Sequence, residues 1–308
     1  MDTIPPEILL HILSDLDKPL ARYASVCRAF QYLIEIKTFE NIAITGTLPQ
    51  IQILDSVFGD GRRRCLLRKL EFTISLPGKL KSSHKKPLKC LRDRAFTLAV
   101  SRLFTCLAKW NYTPEGLEKP PSFALHLQGS TSNVDYNAVN NHHKHMQFDW
   151  LERLPSVECV NKLRVESLHI FPSDMTIICE ALPHMDNLKW VLANAPRRLR
   201  NLRDELRDSM ATTLLQTDFS RLQAIEIWWG DHDPLNHYWT PENYLDAEGH
   251  DRLSMGVNRI LKLPNLKILT LGGLFILSPD MFDLSGEDIP NSLEELYIDV
   301  SKVSPARN

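Results

Sequence analysis

Five short stretches of this chain repeat one apolar spacing, L-x-x-L-x-L: "LRKLEF" from Leu67, "VESLHI" from Val165, "LQAIEI" from Leu222, "LKILTL" from Leu266 and "LEELYI" from Leu293. "LKWVLA" from Leu188 fits imperfectly, and "FALHL" from Phe123 supplies the second half alone. The closing apolar residues of each stretch alternate, which is the period of a strand with one buried face. Leu154-Pro155, Leu182-Pro183 and Leu263-Pro264 each stand a few residues ahead of such a stretch. Between them run segments of helical character, Arg94 to Trp110, Asp174 to Leu182, Arg197 to Leu215 and His250 to Leu261. A strand that cannot bury its own face, followed by a helix and then repeated, must stack on its neighbours.

That alternation is the signature of leucine-rich-repeat architecture, in which each unit covers the next. Regular repeats hold to about 20 to 29 residues. Here the starts at 67, 165, 188, 222, 266 and 293 are separated by 98, 23, 34, 44 and 27 residues. The gap of 98 divides if the Phe123 stretch is a strand. The expectation is an irregular leucine-rich-repeat-like α/β solenoid with insertions, set against an ordinary layered α/β domain. Pro77 to Lys89, rich in Lys, Ser, Pro and Gly, and Gln128 to Met146, rich in Asn, Ser and His, read as exposed loops. No polar capping repeat follows the last stretch, so "LEELYIDV" is either a terminal edge or the end of a chain shorter than its relatives.

The beginning of the chain has another character. In "IPPEILLHILSDL", Ile8, Ile12 and Leu16 are spaced by four, and Leu9 and Leu13 form a second row beside them. Pro5 and Pro6 suit only the start of a helix, Glu7 has the sign its dipole favours, and Pro19 ends it. Two further short helices follow, through Leu20, Tyr23 and Ala24 and through Phe30, Leu33 and Ile34. Three helices over some 35 residues bury too little apolar area to stand alone. They need a second surface, supplied by the same chain or by a partner.

The register of these residues closely resembles the F-box. Ile4-Pro5-Pro6-Glu7-Ile8-Leu9, Ile12-Leu13, Leu16, Val26-Cys27-Arg28, Phe30, Leu33-Ile34 and Phe39 follow the family pattern L-P-x-E-[IL]-[IL]-x-x-I-[LF]-x-x-L, a spacer, V-C-[RK]-x-[WF]-x-x-L-I and a final aromatic. The likeness covers about Ile4 to Ile44. Ile4 replaces the usual Leu, Phe30 stands where Trp is commonest, and the spacer is a residue short. "LARYASVCRAFQYLIE" is similar to the large F-box families of filamentous fungi. The resemblance implies a small three-helix F-box over 1–46 that docks a Skp-type adaptor and through it a cullin-RING ubiquitin ligase. Ile4, Pro5, Ile8, Leu9, Ile12, Val26, Cys27 and Phe30 would carry the adaptor contact or the packing beneath it. Residues 47–308 would then recognise a protein target, and the fold class expected is α+β or α/β.

Composition is that of a globular chain: 308 residues, 43% hydrophobic and 24% charged, with 36 Lys and Arg against 38 Asp and Glu. The charge is unevenly spread. Asp60 to Arg94 holds 12 basic residues and three acids, whereas Asp280 to Asp299 holds seven acids and no Lys or Arg. A nucleic-acid-binding protein using the basic region 62–94 is therefore the alternative reading, disfavoured because few aromatic residues interleave the charges. Six cysteines without a C-x-x-C pair read as reduced thiols, no apolar run is long enough to cross a bilayer, and the expected location is cytoplasmic or nuclear.

No P-loop, G-x-S-x-G, H-E-x-x-H or Gly-rich dinucleotide loop occurs, so neither a catalytic residue nor a cofactor is expected. "NHHKH" at Asn141 to His145 clusters imidazoles on one loop, where a metal site draws ligands from separate elements. "WWGDHDPLNHYW" supplies Trp228, Trp229, Asp231, His232 and Trp239 after an expected strand, a loop position that suits partner recognition. A hydrolase or metalloenzyme built on Asp231, His232, Asp233 and His237 is a third reading.

Overall fold

The computed structural model describes residues 8, 11–12, 23–25, 28–59, 61–77, 85–111, 121–131, 145–151, 153–192, 200–230, 244–283 and 292–300. Its centre is an open sheet of 8 strands, all parallel and hydrogen-bonded in sequence order. The strands are β1 (Asn41–Thr45), β2 (Lys69–Leu76), β3 (Phe123–Thr131), β4 (Val160–Glu166), β5 (Asn187–Leu192), β6 (Ala224–Trp229), β7 (Ile268–Phe275) and β8 (Glu295–Val300). The helices are α1 (Arg28–Phe39), α2 (Leu48–Val57), α3 (Lys85–Ala108), α4 (Pro172–Glu180), α5 (Arg200–Gln216) and α6 (Arg252–Leu261), with a short turn at Gly61–Arg64.

Strand order that never reverses decides where the helices go. Crossovers between parallel strands keep one hand, so a chain that always advances the same way lays every connecting helix on one face. The buried residues of α2 to α6 accordingly join one core with the inward residues of the strands. None of the described helices covers the other face.

Pairing aligns one apolar residue per strand in a row: Ile42, Leu70, Leu125, Leu163, Leu188, Ile225, Leu269 and Leu296. Two residues on, Ile44, Phe72, Leu127, Val165, Trp190, Ile227, Leu271 and Ile298 form a second. The intervals along the first row are 28, 55, 38, 25, 37, 44 and 27 residues, so the gap of 98 closes once β3 takes its place. Each unit is also tied to the next by a recurring device. One carbonyl receives two successive N–H groups of the following unit: Glu40 O from Arg68 and Lys69, Asp186 O from Gln223 and Ala224, Gln223 O from Lys267 and Ile268, Lys267 O from Glu294 and Glu295. The Leu182-Pro183 and Leu263-Pro264 pairs open the turns that precede β5 and β7, closed by Met185 N to Leu182 O and Leu266 N to Leu263 O.

The fourth strand lies earlier than expected. It is "VNKLRVE" and not "VESLHI", because Ser167 (φ 60°) and His169 (φ 50°) adopt left-handed conformations that end the ladder after Glu166. Leu168 and Ile170 are buried all the same, which is why the apolar spacing misleads. One other expectation shifts. Lys85 to Lys89 begins α3 instead of completing a loop, and β1 places residues 41–45 in the sheet. Among the described residues no helix is long and apolar enough to cross a membrane.

Helix ends follow local chemistry. Pro49 and Pro172 occupy first-turn positions of α2 and α4, where a missing N–H costs nothing. Asp251 caps α6, accepting from Leu253 N and Ser254 N.

Candidate functional site

The N-terminal helical segment has its own small core. Leu33 and Ile34 of α1 are buried, with Tyr23, Ala24, Phe30 and Ile36 packed against them, apart from the main core. Ile8, His11 and Ile12 are helical, and the Ile8 and Ile12 side chains are 52% and 39% exposed. Four residues apart, they lie on one face of that helix. Ile4, Pro5, Leu9, Val26 and Cys27 lie outside the described residues.

The far end of α1 belongs to the sheet domain. Phe39 meets Phe58 edge-on with ring centroids 5.5 Å apart, and the Arg63 guanidinium lies over the Phe39 ring at 5.3 Å. Glu35, buried on α1, receives Arg62 Nη2 and, at 3.4 Å, Arg63 Nη2. Gln31 Nε2 donates to the same carboxylate. One helix therefore spans both cores and is pinned by two arginines from the turn after α2.

Those arginines begin the basic region 62–94, and several of its described members are engaged within the chain. Arg64 Nε donates to Phe58 O at 2.7 Å while its guanidinium covers Trp110. Lys69 pairs with Glu71 at 2.5 Å and holds that carboxyl below its usual range. Lys89 Nζ bridges Asp93 and Gln147, each at 2.7 Å. Buried Arg92 donates to Pro77 O, and Arg94 covers Trp150.

The helix-free sheet face is polar and cross-linked from strand to strand. Its central row runs Ala43, Glu71, His126, Arg164, Lys189, Glu226, Thr270 and Tyr297. Arg164 reaches Glu166 at 2.6 Å, and Lys189 reaches Glu226 at 2.6 Å. His126 Nε2 stands 3.4 Å from Glu166, and burial pushes the imidazole below its usual value despite that carboxylate. Burial pushes Glu226 upward, but the hydrogen bonds and charge of Lys189, with the Trp228 indole, bring it below the ordinary range.

The adjacent tryptophans part at this face. Trp228 lies on it, donating Nε1 to Glu226 Oε1 at 2.6 Å and approaching Tyr297 with ring centroids 6.3 Å apart. Gly272 makes room, since a Cβ there would sit 2.3 Å from the Trp228 ring. Trp229 turns the other way, 4% exposed and edge-on to Phe275, and is a core residue. Alternation along β6 thus removes Trp229 from the expected recognition patch, leaving Trp228. Tyr297 joins it, and sequence reading missed this partner because the pairing across β7 is invisible without the register. Asp231, His232 and Trp239 lie outside the described residues, as do Asp233 and His237. His145, the described member of the imidazole run, is buried against Phe171.

The buried thiols are held protonated. Burial pushes Cys159 and Cys179 up to about 12 and Cys106 to about 11. Thiols so placed are poor nucleophiles.

Among known proteins, no curated sequence and no solved structure matches this chain. Residues 1–39, the segment that carries the exposed Ile8 and Ile12 and the small core of α1, match the F-box-like family, which identifies an F-box-like domain at the N-terminus.

Proposed function

We propose that this chain is the substrate-recognition subunit of a Skp-cullin-F-box ubiquitin ligase. Its N-terminal helices dock a Skp-type adaptor and its sheet domain holds a protein target. The observation that carries the reading is the F-box-like match over residues 1–39 together with two isoleucines left exposed one helical turn apart. Apolar side chains so presented gain about 25 cal/mol per Å² when a partner covers them, and a few such anchors dominate an interface.

We read the sheet domain as an irregular leucine-rich-repeat-like solenoid. Sequential parallel strands, helices on one face, and a carbonyl that repeatedly receives two N–H groups from the next unit support this. The mechanism is proximity: target and charged conjugating enzyme are held on one scaffold, which raises effective concentration without a catalytic side chain from this subunit. The cytoplasm or nucleus is where such a subunit would act.

Co-expression with a Skp-type adaptor, followed by size-exclusion chromatography, tests the reading. Wild type should elute as a one-to-one complex, and Ile8→Asp with Ile12→Asp should elute alone with an unchanged thermal transition. Both side chains face solvent in the free chain, so the substitutions spare the fold. A complex that survives the double substitution would overturn the assignment.

A further inference from the structure

We propose that the outer edge of β8 receives an extended segment of a partner protein as a further strand, one that places basic residues four apart on one face and apolar residues between them on the other. The inference rests on the sheet and is independent of adaptor docking.

Three observations define the occupant. First, the sheet order ends at β8, and among the described residues no strand pairs with its far side. An edge of free N–H and C=O groups is a template for another strand. Second, the core side of β8 is uncovered. Leu296 is 46% exposed whereas its row neighbour Leu269 is 0% exposed, and Ile298 is half-buried beside fully buried Leu271. A strand added here gains by bringing apolar residues alongside Leu296 and Ile298. Third, the other face of β8 is acidic. Glu295 and Asp299 flank Tyr297 at alternate positions, about 13 Å apart, and make no ion pair among the described residues. Tyr297 leans toward Trp228 over Gly272, so the outer margin of this face belongs to the two carboxylates.

Directly opposed cross-strand residues lie on the same face and interact. A segment opposite Glu295, Leu296, Tyr297, Ile298 and Asp299 therefore reads basic, apolar, any residue, apolar, basic. A second copy of this chain does not meet that requirement. Antiparallel self-pairing centred on Tyr297 sets Glu295 opposite Asp299 twice, and like charges directly opposed are unfavourable. Pairing with β1 of another copy offers Asn41, Ala43 and Thr45, none of them cationic.

The test uses the full chain and a fluorescently labelled peptide, Ser-Arg-Val-Thr-Ile-Arg-Ser, followed by anisotropy. The peptide should bind, a scrambled Ser-Arg-Arg-Thr-Val-Ile-Ser should bind more weakly, and added salt should weaken the ordered peptide. Glu295→Lys with Asp299→Lys should cost roughly tenfold in affinity and transfer preference to a peptide in which Glu replaces both Arg. Both acids are exposed, so an unchanged melt is expected. Failure of the ordered peptide to bind, or equal binding by the scrambled peptide or by the charge-reversed variant, would overturn the proposal. So would a concentration-dependent dimer in sedimentation that Ile298→Pro abolishes, because the occupant of the edge would then be a second copy.

Discussion

Replacing Asp251 by alanine strands a buried cation and uncaps a helix in the same step. Arg207 on α5 reaches across to Asp251 at the start of α6, its Nη2 2.8 Å from both carboxylate oxygens and from Ile276 O. The two side chains are only 7% and 2% exposed, and the Tyr244 ring closes over the guanidinium at 4.3 Å. Asp251 also receives Leu253 N, Ser254 N and Ser254 Oγ, and Ser254 Oγ in turn accepts from Ser278 N at 2.7 Å. Losing an N-cap costs about 1 kcal/mol. Breaking a buried pair and leaving one charge uncompensated costs about 3 to 5 kcal/mol. The terms overlap, so a loss of about 4 kcal/mol is expected against a total stability of roughly 5 to 15 kcal/mol.

Urea denaturation of the full chain measures this as a lowered midpoint with an unchanged slope. The double substitution Arg207→Met with Asp251→Ala separates the causes. If the stranded guanidinium dominates, the double variant recovers most of the loss, leaving about 1 kcal/mol from the missing cap. A single Asp251→Ala variant that loses under about 1 kcal/mol, or a double variant that falls by the full sum of the singles, would refute the reasoning.

Two further substitutions probe the sheet and the packing of α4. Gly272→Ala places a methyl 2.3 Å from the Trp228 ring and should expel that ring, cost about 1 to 3 kcal/mol and reduce the near-ultraviolet circular dichroism, with Trp228→Ala in the same chain restoring the stability. A Gly272→Ala variant as stable as wild type would count against the packing described. Asp174 is buried on α4, accepting from Phe148 N at 2.8 Å, and burial raises its carboxyl above the usual 3.8. A carboxyl raised in the folded state favours its proton there, so its ionisation costs stability above the folded value and that cost fades as pH falls through it toward 3.8. Asp174→Asn keeps the acceptor for Phe148 and should melt higher than wild type at pH 7, with the advantage shrinking under acid; a lower melt, equal at every pH, would contradict this.

What could be read from sequence here follows from which forces are local. Alternating apolar residues declare a strand because the side-chain period is a backbone property, and β2, β3, β5, β6, β7 and β8 all lie where the spacing sets them. The helices between them were legible for the same reason. β4 lies off its expected place because Val165, Leu168 and Ile170 are buried for different causes, the first in the ladder and the others beyond Ser167, where the left-handed conformations of Ser167 and His169 are reported by no apolar pattern. β1 escapes because "NIAIT" falls within the F-box likeness, which extends to about Ile44, and carries too few residues to show the L-x-x-L-x-L spacing of the other strands.

The candidate surfaces divide along the same line. Ile8 and Ile12 are an i, i+4 pair, so their shared face is contained in the spacing alone. The polar face of the sheet depends on register between strands as many as 55 residues apart, and register is fixed by the whole row of apolar partners at once. A shift of one residue in β6 would exchange Trp228 and Trp229 between face and core. Gly272 and the wide Trp228 ring complement each other only in the observed register, so one glycine on the neighbouring strand helps decide which tryptophan faces outward. The same register sets Tyr297 opposite Thr270 and leaves Glu295 and Asp299 on the open margin. A segment of chain that no helical or strand period could nominate as a site thereby acquires one by its place in the sheet.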